Sequence, residues 1–291
     1  MTSEQQKVWF ITGASSGFGR ALAEAVLARG DKAVLAARRA TQLQEIAAAH
    51  PETSLAVTLD VTDAKARAEA VEAALARFGR IDILANIAGR GSLGAAEAFS
   101  EAQLRTQMEV NFFGLVEMTR LVLPHMRAQR SGHILNLTSI GGLVSAGGFG
   151  PYCASKFAVE GWSEALRDEV APLGIAVTLV EPGSFRTEFA GDANMRPEAD
   201  IEAYRPMIAP IEQFLYGQDG RQPGDPVKAA QAMIAATEAE APPLRLLLGA
   251  DAYGMWEAKL TARQAEFAAW RPIGEATGFD GAEPWAFPFE A

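Results

Sequence analysis

The fold is decided by residues 7–28, which read KVWFITGASSGFGRALAEAVLA. Their first six positions are mainly apolar, β-branched or aromatic and are bounded by glycine, which predicts a short buried strand. Gly13, Gly17 and Gly19 follow, and Arg20–Ala28 then has helical periodicity. A strand, a glycine turn and a helix in this order indicate a dinucleotide site. The alternative is an ordinary flexible turn between a strand and a helix.

Each glycine has its own role in this hypothesis. Gly13 permits a tight turn, Gly17 lets the backbone approach a pyrophosphate, and Gly19 lets the helix pack on the strand. The phosphates would lie at the positive end of the helix.

A tyrosine and a lysine stand four residues apart at Tyr152 and Lys156, and Ser139 precedes them in the chain. Side chains at this spacing share one face of a helix. An ammonium beside a phenol favours the phenolate and lowers the phenol pKa from its usual value of ~10. A serine hydroxyl from another segment would orient a carbonyl or alcohol oxygen towards the phenol. The trio therefore predicts acid–base chemistry, although Tyr and Lys at this spacing also occur by chance in many helices.

The spacing Gly-x-x-x-Gly-x-Gly, together with the Ser, Tyr and Lys, resembles the short-chain dehydrogenase/reductase family from about residue 7 to about residue 250. Ile87 stands where the family has a second asparagine, and isoleucine can replace it by packing if that asparagine mainly stabilises the sheet. Further stretches that match the family in order are Asp60-Val61, Asn86-Ile87-Ala88-Gly89, Asn111, Asn136-Leu137-Thr138-Ser139 and Pro182-Gly183-Ser184-Phe185-Arg186-Thr187.

The resemblance implies hydride transfer between a nicotinamide cofactor and a ketone or secondary alcohol. Ser139 would donate a hydrogen bond to the substrate carbonyl, and Tyr152 would protonate that oxygen. Lys156 would lower the tyrosine pKa and hold the nicotinamide ribose, and Asn111 would position a water that connects Lys156 to solvent. The cofactor contacts that the resemblance implies are Gly13, Ser15, Ser16, Gly17, Phe18, Gly19, Asp60, Val61, Asn86, Ala88, Gly89, Tyr152, Lys156, Pro182, Gly183, Phe185 and Thr187.

The second predicted strand ends at Ala37 and is followed by Arg38 and Arg39. An enzyme that uses NAD usually presents Asp or Glu there to accept the ribose hydroxyls, and that carboxylate repels a 2′-phosphate. Arginine binds phosphate through a charge-assisted fork. NADP(H) is therefore favoured over NAD(H), with Arg38 as the phosphate contact; otherwise both arginines are merely solvated at a helix start.

Apolar periodicity predicts strands that alternate with helices along the whole chain. This pattern predicts a doubly wound, parallel, seven-stranded, Rossmann-like sheet in a single domain. The strands are expected near 7–12, 32–37, 54–59, 82–86, 133–138, 175–180 and 244–248. The helices are expected near 17–29, 40–49, 63–78, 101–130, 151–171, 226–239 and 252–270.

The composition of the 291 residues, with 49% hydrophobic content and one cysteine, agrees with a single cytoplasmic domain. No apolar run approaches the ~20 residues that cross a bilayer, and the first residues lack a signal peptide's pattern. The net charge of −10 argues against nucleic acid or an anionic membrane as partner. The expected partner is a small-molecule carbonyl or alcohol, and no metal site is predicted. Cys153 beside Tyr152 is expected to be a packing residue rather than a nucleophile.

Residues 185–226 are predicted to form a lid over the substrate, as in the family. Their aromatic and Met side chains would suit an apolar or aromatic substrate, or else they pack the lid onto the body. Those side chains, with Phe149 as a further candidate pocket wall, are Phe189, Met195, Tyr204, Met207, Phe214, Leu215 and Tyr216.

Two expectations concern assembly and the C-terminal residues. The helices near 101–130 and 151–171 are more apolar than one buried face requires, which predicts a homodimer or homotetramer. Residues 271–291 are rich in Pro, Gly and aromatics and are predicted to be irregular. They either dock on the protein's own body or on a neighbouring subunit, burying Trp285 and Phe287, or are disordered.

Three functions remain open. The first is an NADP(H)-dependent carbonyl reductase or alcohol dehydrogenase. The second is a catalytically silent NAD(P)-sensing protein on the same fold, which normally would have lost Ser, Tyr or Lys. The third is a sugar-nucleotide epimerase or dehydratase, which the glycine spacing disfavours.

Overall fold

The computed structural model describes residues 6–191, 194–283 and 285. Its seven strands form one parallel sheet in the order β3-β2-β1-β4-β5-β6-β7. They are β1 Val8–Thr12, β2 Lys32–Ala37, β3 Ser54–Thr58, β4 Ile83–Asn86, β5 Gly132–Leu137, β6 Ile175–Pro182 and β7 Arg245–Leu248. The α-helices are α1 Gly17–Ala28, α2 Ala40–Ala49, α3 Ala64–Phe78, α4 Glu101–Met108, α5 Gly114–Gln129, α6 Gly150–Val170, α7 Arg205–Gly217, α8 Pro226–Glu238 and α9 Ala250–Glu275. The predicted doubly wound fold is confirmed.

Strand β1 shows why an apolar run becomes the centre of this sheet. All five of its residues are buried, and successive side chains of a strand point to opposite faces. Trp9 and Ile11 pack in a core with residues of α1 and α8, whereas Phe10 packs with residues of α3, α5 and α6. Burial of a side chain such as Phe10 or Ile11 contributes about 1.5–3 kcal/mol, so a strand covered on both faces is apolar throughout.

The strand order reverses beside β1, because β2 and β3 lie on one side of it and β4 on the other. In such sheets ligands bind in the crevice at the carboxyl ends of the strands at this reversal. The hydroxyl of Thr12 accepts hydrogen bonds from the backbone N–H groups of Ile87 and Ala88, at 3.0 and 3.1 Å. The ends of β1 and β4 are thereby joined at the crevice.

The single helix expected near 101–130 is interrupted. A π-helical turn at Glu109–Phe113 separates α4 from α5. The side chain of Asn111 in this turn points inward and bonds to the backbone of Arg90 and to Ser155. A π-turn accommodates one extra residue per turn and is frequent at functional sites. These tertiary hydrogen bonds override the simple helical pattern of the sequence.

The expectation for the C-terminal residues needs two corrections. Helix α9 continues to Glu275, so residues 271–275 are helical, and an ion pair between Arg271 and Glu275 at 2.6 Å supports this last turn. Trp285 is 87% exposed, so it is not docked on the body of the protein. Phe287 lies outside the described residues. No helix among the described residues is long and apolar enough to cross a membrane.

Candidate active site

The side chains of Ser139 and Tyr152 converge next to Gly141. Ser139 follows β5 and caps the short turn that contains Gly141, whose N–H donates to the serine oxygen at 2.9 Å. Tyr152 lies in the first turn of α6, in which Pro151 is the second residue. A Cβ added to Gly141 would lie 3.0 Å from the Tyr152 ring and 3.3 Å from Ser139 Oγ. The absence of a side chain at Gly141 therefore lets the hydroxyl and the phenol converge.

Lys156 lies one helical turn after Tyr152 and is buried with it. Its Nζ is 5.9 Å from the centroid of the tyrosine ring and donates a 2.8 Å hydrogen bond to the carbonyl of Leu137 at the end of β5. Burial lowers the pKa of Lys156 to about 8, and the nearby charge of Glu160 opposes this effect. The expected placement of the ammonium on the tyrosine's face of the helix is observed.

The expected depression of the tyrosine pKa is not observed, and that prediction is wrong for the protein alone. Burial raises the pKa of the Tyr152 phenol well above its usual value, although a hydrogen bond with Ser139 opposes the shift. The cause is desolvation, which disfavours the phenolate more strongly here than the sequence pattern suggested. The Lys156 ammonium donates its hydrogen bond to the Leu137 carbonyl and not to the phenol. The phenol is therefore protonated and suited to act as an acid.

Asn111 connects three segments around this pair. Its amide donates to the carbonyl of Arg90 at 3.0 Å and to Ser155 Oγ at 2.9 Å, and its oxygen accepts from the Arg90 N–H at 2.9 Å. Ser155 in turn donates to the carbonyl of Tyr152 at 2.7 Å. A Cβ added to Gly89 would lie 3.3 Å from Asn111 Oδ1 and 3.7 Å from Lys156 Nζ. Asn111 thus adjoins Lys156, as expected, and Ser155 is a positioning residue that the sequence did not indicate.

The glycine turn has the geometry of a nucleotide cradle. Gly13 and Gly17 have φ values of 69° and 51°, which favour glycine. A Cβ at Gly19 would lie 2.3 Å from the carbonyl oxygen of Gly13, so α1 packs directly on the turn. Helix α1 has no side-chain cap, and no acidic residue lies in its first turn. A phosphate would therefore meet free N–H groups and the positive end of a helix dipole. Ser15, Ser16 and Phe18 belong to the same turn.

The side chain of Asn86 is directed into the protein. Its Nδ2 donates to Thr119 and to Asn136, both at 3.0 Å, whereas its Oδ1 is buried without a hydrogen-bond partner among the described residues. Ile87 is buried in the core with Ile11 and other apolar residues, which agrees with the packing role expected of it. Ala88 and Gly89 carry the backbone onward along the crevice.

Arg38 and Arg39 have different surroundings at the end of β2. Arg39 donates to Ser15 Oγ at 3.2 Å and pairs with Glu188 at 3.0 Å. Arg38 is exposed, and its charge reaches Asp60, whose pKa is lowered by hydrogen bonds from Thr62 that overcome desolvation. Burial, and then the charge of Arg38, lowers the pKa of Arg90.

Arg90 is a candidate cofactor-binding residue that the sequence did not indicate. Its Nε is buried and has no hydrogen-bond partner among the described residues. The positive charges of the Arg38 and Arg90 guanidinium groups therefore repel one another beside the crevice. The sequence signal that could have indicated Arg90 is its position directly after the Asn86–Gly89 stretch.

The segment after β6 lies against the glycine turn. The rings of Phe185 and Phe18 are 5.1 Å apart, and a Cβ at Gly17 would lie 3.2 Å from the side chain of Thr187. Gly183 bonds to the carbonyl of Leu248 at 2.9 Å. Phe185 and Thr187 therefore lie against Phe18 and Gly17, and Pro182 and Gly183 precede them beside Leu248 of β7. Val61 supports the other side, where a Cβ at Gly114 would lie 2.8 Å from it.

Phe189 covers the tyrosine. Its ring lies 5.2 Å from the Tyr152 ring in an edge-on arrangement. The Met195 N–H donates to the Gly91 carbonyl at 2.8 Å, which ties this segment to the loop after β4. Met195 is buried, whereas Met207 and Phe214 are 42% and 70% exposed. Of the aromatic and Met side chains named from sequence, Phe189 therefore packs against the tyrosine of the trio, and Phe214 faces solvent.

No group of three or more His, Cys, Asp or Glu side chains within the described ranges is arranged to hold a metal ion. Cys153 is buried, and burial raises the pKa of its thiol. This environment agrees with a packing role for the residue.

The sheet order and the glycine turn after β1 place the protein in the doubly wound α/β class, in which ligands bind in the crevice described above. Residues 7–198 match the model of the short chain dehydrogenase family. The chain is 36% identical over 272 residues to oxidoreductase BOA17 of Botryotinia fuckeliana, covering 93% of this chain and 99% of that protein. A short-chain dehydrogenase structure from Streptomyces avermitilis is 44% identical with a TM-score of 0.89, over 94% of this chain and 100% of that one.

A further similar structure is a short chain dehydrogenase/reductase from Burkholderia phymatum in complex with NAD. It is 26% identical with a TM-score of 0.78, over 99% of this chain and all of that one. Other similar structures are complexes with NADP. The protein belongs to the short-chain dehydrogenase/reductase family and is an oxidoreductase that acts on alcohol and carbonyl groups.

Proposed function

We propose that this protein is an NADP(H)-dependent reductase of ketones, or dehydrogenase of secondary alcohols, with Ser139, Tyr152, Lys156 and Asn111 as its catalytic group. The observation that carries the proposal is the convergence of Ser139 Oγ and the Tyr152 ring above Gly141, with the Lys156 ammonium 5.9 Å from that ring. A carbonyl oxygen placed between the two hydroxyls would receive a hydrogen bond from each.

The nicotinamide, when bound, supplies or accepts the hydride. Ser139 orients the substrate oxygen, and Tyr152 gives that oxygen a proton as the carbonyl carbon becomes an alcohol carbon. Because burial raises the phenol pKa, the tyrosine carries this proton at neutral pH, which suits the reductive direction. Lys156 is the cation beside the phenolate that proton transfer leaves, and it stabilises that charge. Asn111 holds the backbone at Arg90 and, through Ser155, the start of α6.

The glycine turn would hold the phosphates, and its fit is supported by the uncapped end of α1 and by the close approach of Gly13 to Ala88. A Cβ at Gly13 would lie 2.9 Å from the Ala88 backbone nitrogen. The other proposed cofactor contacts lie around the same crevice: Asp60 and Val61 after β3, and Pro182 to Thr187 after β6. These positions follow the carboxyl ends of neighbouring strands.

Preference for NADP(H) is supported by charge at the end of β2. Ala37 stands where a carboxylate would repel a 2′-phosphate, Arg38 is exposed, and the buried Nε of Arg90 has no hydrogen-bond partner among the described residues. Arginine forks suit phosphate. Arg38→Gln is expected to raise the KM for NADPH at least tenfold and to change that for NADH little. Arg39→Gln is the matched control, because Arg39 is already bonded to Ser15 and Glu188. Equal effects on both cofactors would refute the preference.

An apolar or aromatic substrate is supported by the Phe189 ring, which packs against Tyr152. The test is NADPH consumption with steroid, aryl, aliphatic and acyl-thioester ketones, repeated with NADH. Tyr152→Phe is expected to bind NADPH normally and to lose turnover with every ketone. Tyr253→Phe, an exposed tyrosine on α9, is the control and should retain turnover. Turnover in Tyr152→Phe with NADPH still bound would refute the assignment.

A homodimer or homotetramer remains part of the proposal. Leu104, Phe113 and Phe157 are apolar side chains of α4, the π-turn and α6 that are 39%, 44% and 37% exposed. Association through this face would remove them from water. Light scattering should give a mass of two or four times 31.0 kDa, and a monomer would contradict this part of the proposal.

A further inference from the structure

A cluster of carboxyl groups lies behind Lys156, in a region that the proposed chemistry does not use. Glu160 follows Lys156 by one turn of α6. Arg245 on β7 donates to Glu160 at 2.5 Å and also pairs with Glu181 of β6 and with Glu164. Glu181 is fully buried, Glu160 is 5% exposed, and Glu164 is half exposed. One guanidinium thus meets three carboxyl groups, two of which are removed from water.

The cluster contains buried polar atoms without hydrogen-bond partners. Glu160 Oε1, Glu181 Oε2 and Thr138 Oγ1 are buried and have no hydrogen-bond partner within the described part of the chain. The same Nη1 of Arg245 contacts Glu160 Oε2 and Glu181 Oε1, so the two buried carboxyl groups are close neighbours. Like charges this close favour one protonated partner.

The charges identify Glu181 as the protonated partner. Burial, and then the charge of Glu160, raises the pKa of Glu181 to about 8, although Arg245 opposes the shift. Its only direct cation is shared with two other carboxylates. With Glu181 neutral, the two cations Lys156 and Arg245 balance the two anions Glu160 and Glu164.

We propose that Glu160 is a positioning residue for the reaction: its carboxylate, fixed by Arg245 and by a proton on Glu181, holds the Lys156 ammonium in its charged state. This inference rests on the role of Lys156 in the proposed function. The charged or titratable groups that face Glu160 are Lys156 and Glu164 on α6, Glu181 on β6 and Arg245 on β7. Glu160 stands one helical turn after Lys156, is buried with it, and its charge opposes the effect of burial on the Lys156 pKa.

The first test is the pH dependence of kcat/KM for ketone reduction. Glu160→Gln is expected to move the alkaline limb down by about one pH unit, because the buried ammonium loses its counter-charge. Glu169→Gln, an exposed carboxylate on the same helix, is the control and should retain the wild-type profile. A role in stability alone would lower activity at every pH without moving the limb. If folded Glu160→Gln keeps the wild-type alkaline pKa in its kcat/KM profile, the inference is overturned.

The second test needs no activity and applies even if Glu160→Gln does not fold. A carboxyl protonated in the folded state and ionised in the unfolded state releases a proton on unfolding. Between about pH 5 and 7, the unfolding equilibrium constant of the wild type should therefore rise about tenfold per pH unit relative to Glu181→Gln. Parallel pH dependences would overturn the assignment of a proton to Glu181 and, with it, the proposed arrangement around Glu160.

The two failures are distinguishable. Turnover in Tyr152→Phe would refute the proposed function whatever the cluster does. An inactive Tyr152→Phe combined with an unmoved limb in Glu160→Gln would refute only the role of Glu160.

Discussion

Substitution of Gly141 by alanine tests the convergence of Ser139 and Tyr152 directly. The added carbon would lie 3.0 Å from Tyr152 Cε1 and 3.3 Å from Ser139 Oγ. Carbon atoms prefer separations of about 3.5–4.0 Å, so the ring must move by about 0.5–1 Å. A displacement of this size can lower turnover by up to about 100-fold. We expect kcat to fall by about 10- to 100-fold, which corresponds to about 1.4–2.7 kcal/mol.

The assay is steady-state ketone reduction with saturating NADPH, with cofactor binding followed by fluorescence. NADPH binding should change little, because the methyl group lies between the two hydroxyl-bearing residues. Gly161→Ala, on the exposed side of α6 with no atom within 4 Å of the added carbon, is the matched control. It should keep full activity and stabilise the helix by about 0.5–1 kcal/mol. Full activity in a folded Gly141→Ala variant would refute the described geometry.

Three other predictions concern pH and specificity. The kcat/KM for reduction should fall above about pH 8, where the buried Lys156 loses its proton, and a profile flat to pH 10 would contradict this. Burial, and then the charge of Lys7, depresses the pKa of His133 to about 4. Neutral His133 therefore contributes up to about 3 kcal/mol to the free energy of unfolding above pH 6.5, and this contribution is lost as the pH falls through 4. Urea unfolding of His133→Gln should show a shallower loss of stability over that range, and curves parallel to the wild type would exclude this cause. Phe189→Ala removes the ring that covers Tyr152 and should lower kcat/KM for aryl ketones by about tenfold relative to small aliphatic ketones, measured with the same panel; an equal loss for both classes would argue against a pocket wall.

The glycine turn was predictable because its determinants are local. The glycine spacing, the buried run of β1 and the amphipathic start of α1 all lie within residues 7–28, and positive φ at Gly13 and Gly17 follows from the turn they form. The seven strands follow from apolar runs that a doubly covered sheet requires. The π-turn at Asn111 does not, because it depends on hydrogen bonds to Arg90 and Ser155 from distant segments.

Electrostatic properties were harder to predict than positions. The sequence placed Lys156 on the face of Tyr152, but not the burial that raises the phenol pKa, since desolvation depends on everything packed around the ring. Arg90 and the pair Glu160–Glu181 are likewise defined by strands and helices that meet only in three dimensions. A charged residue in a sequence does not reveal whether it is solvated or buried.

The most direct test of the central claim, proton donation by Tyr152 during hydride transfer, is single-turnover oxidation of bound NADPH by a ketone in H₂O and in D₂O. NADPH deuterated at the transferred position reports whether chemistry limits the observed rate. Where it does, the account predicts that D₂O slows the wild-type reaction and that Tyr152→Phe shows no comparable turnover in either solvent. A solvent-independent rate in the wild type, with a clear isotope effect from deuterated NADPH, would contradict it.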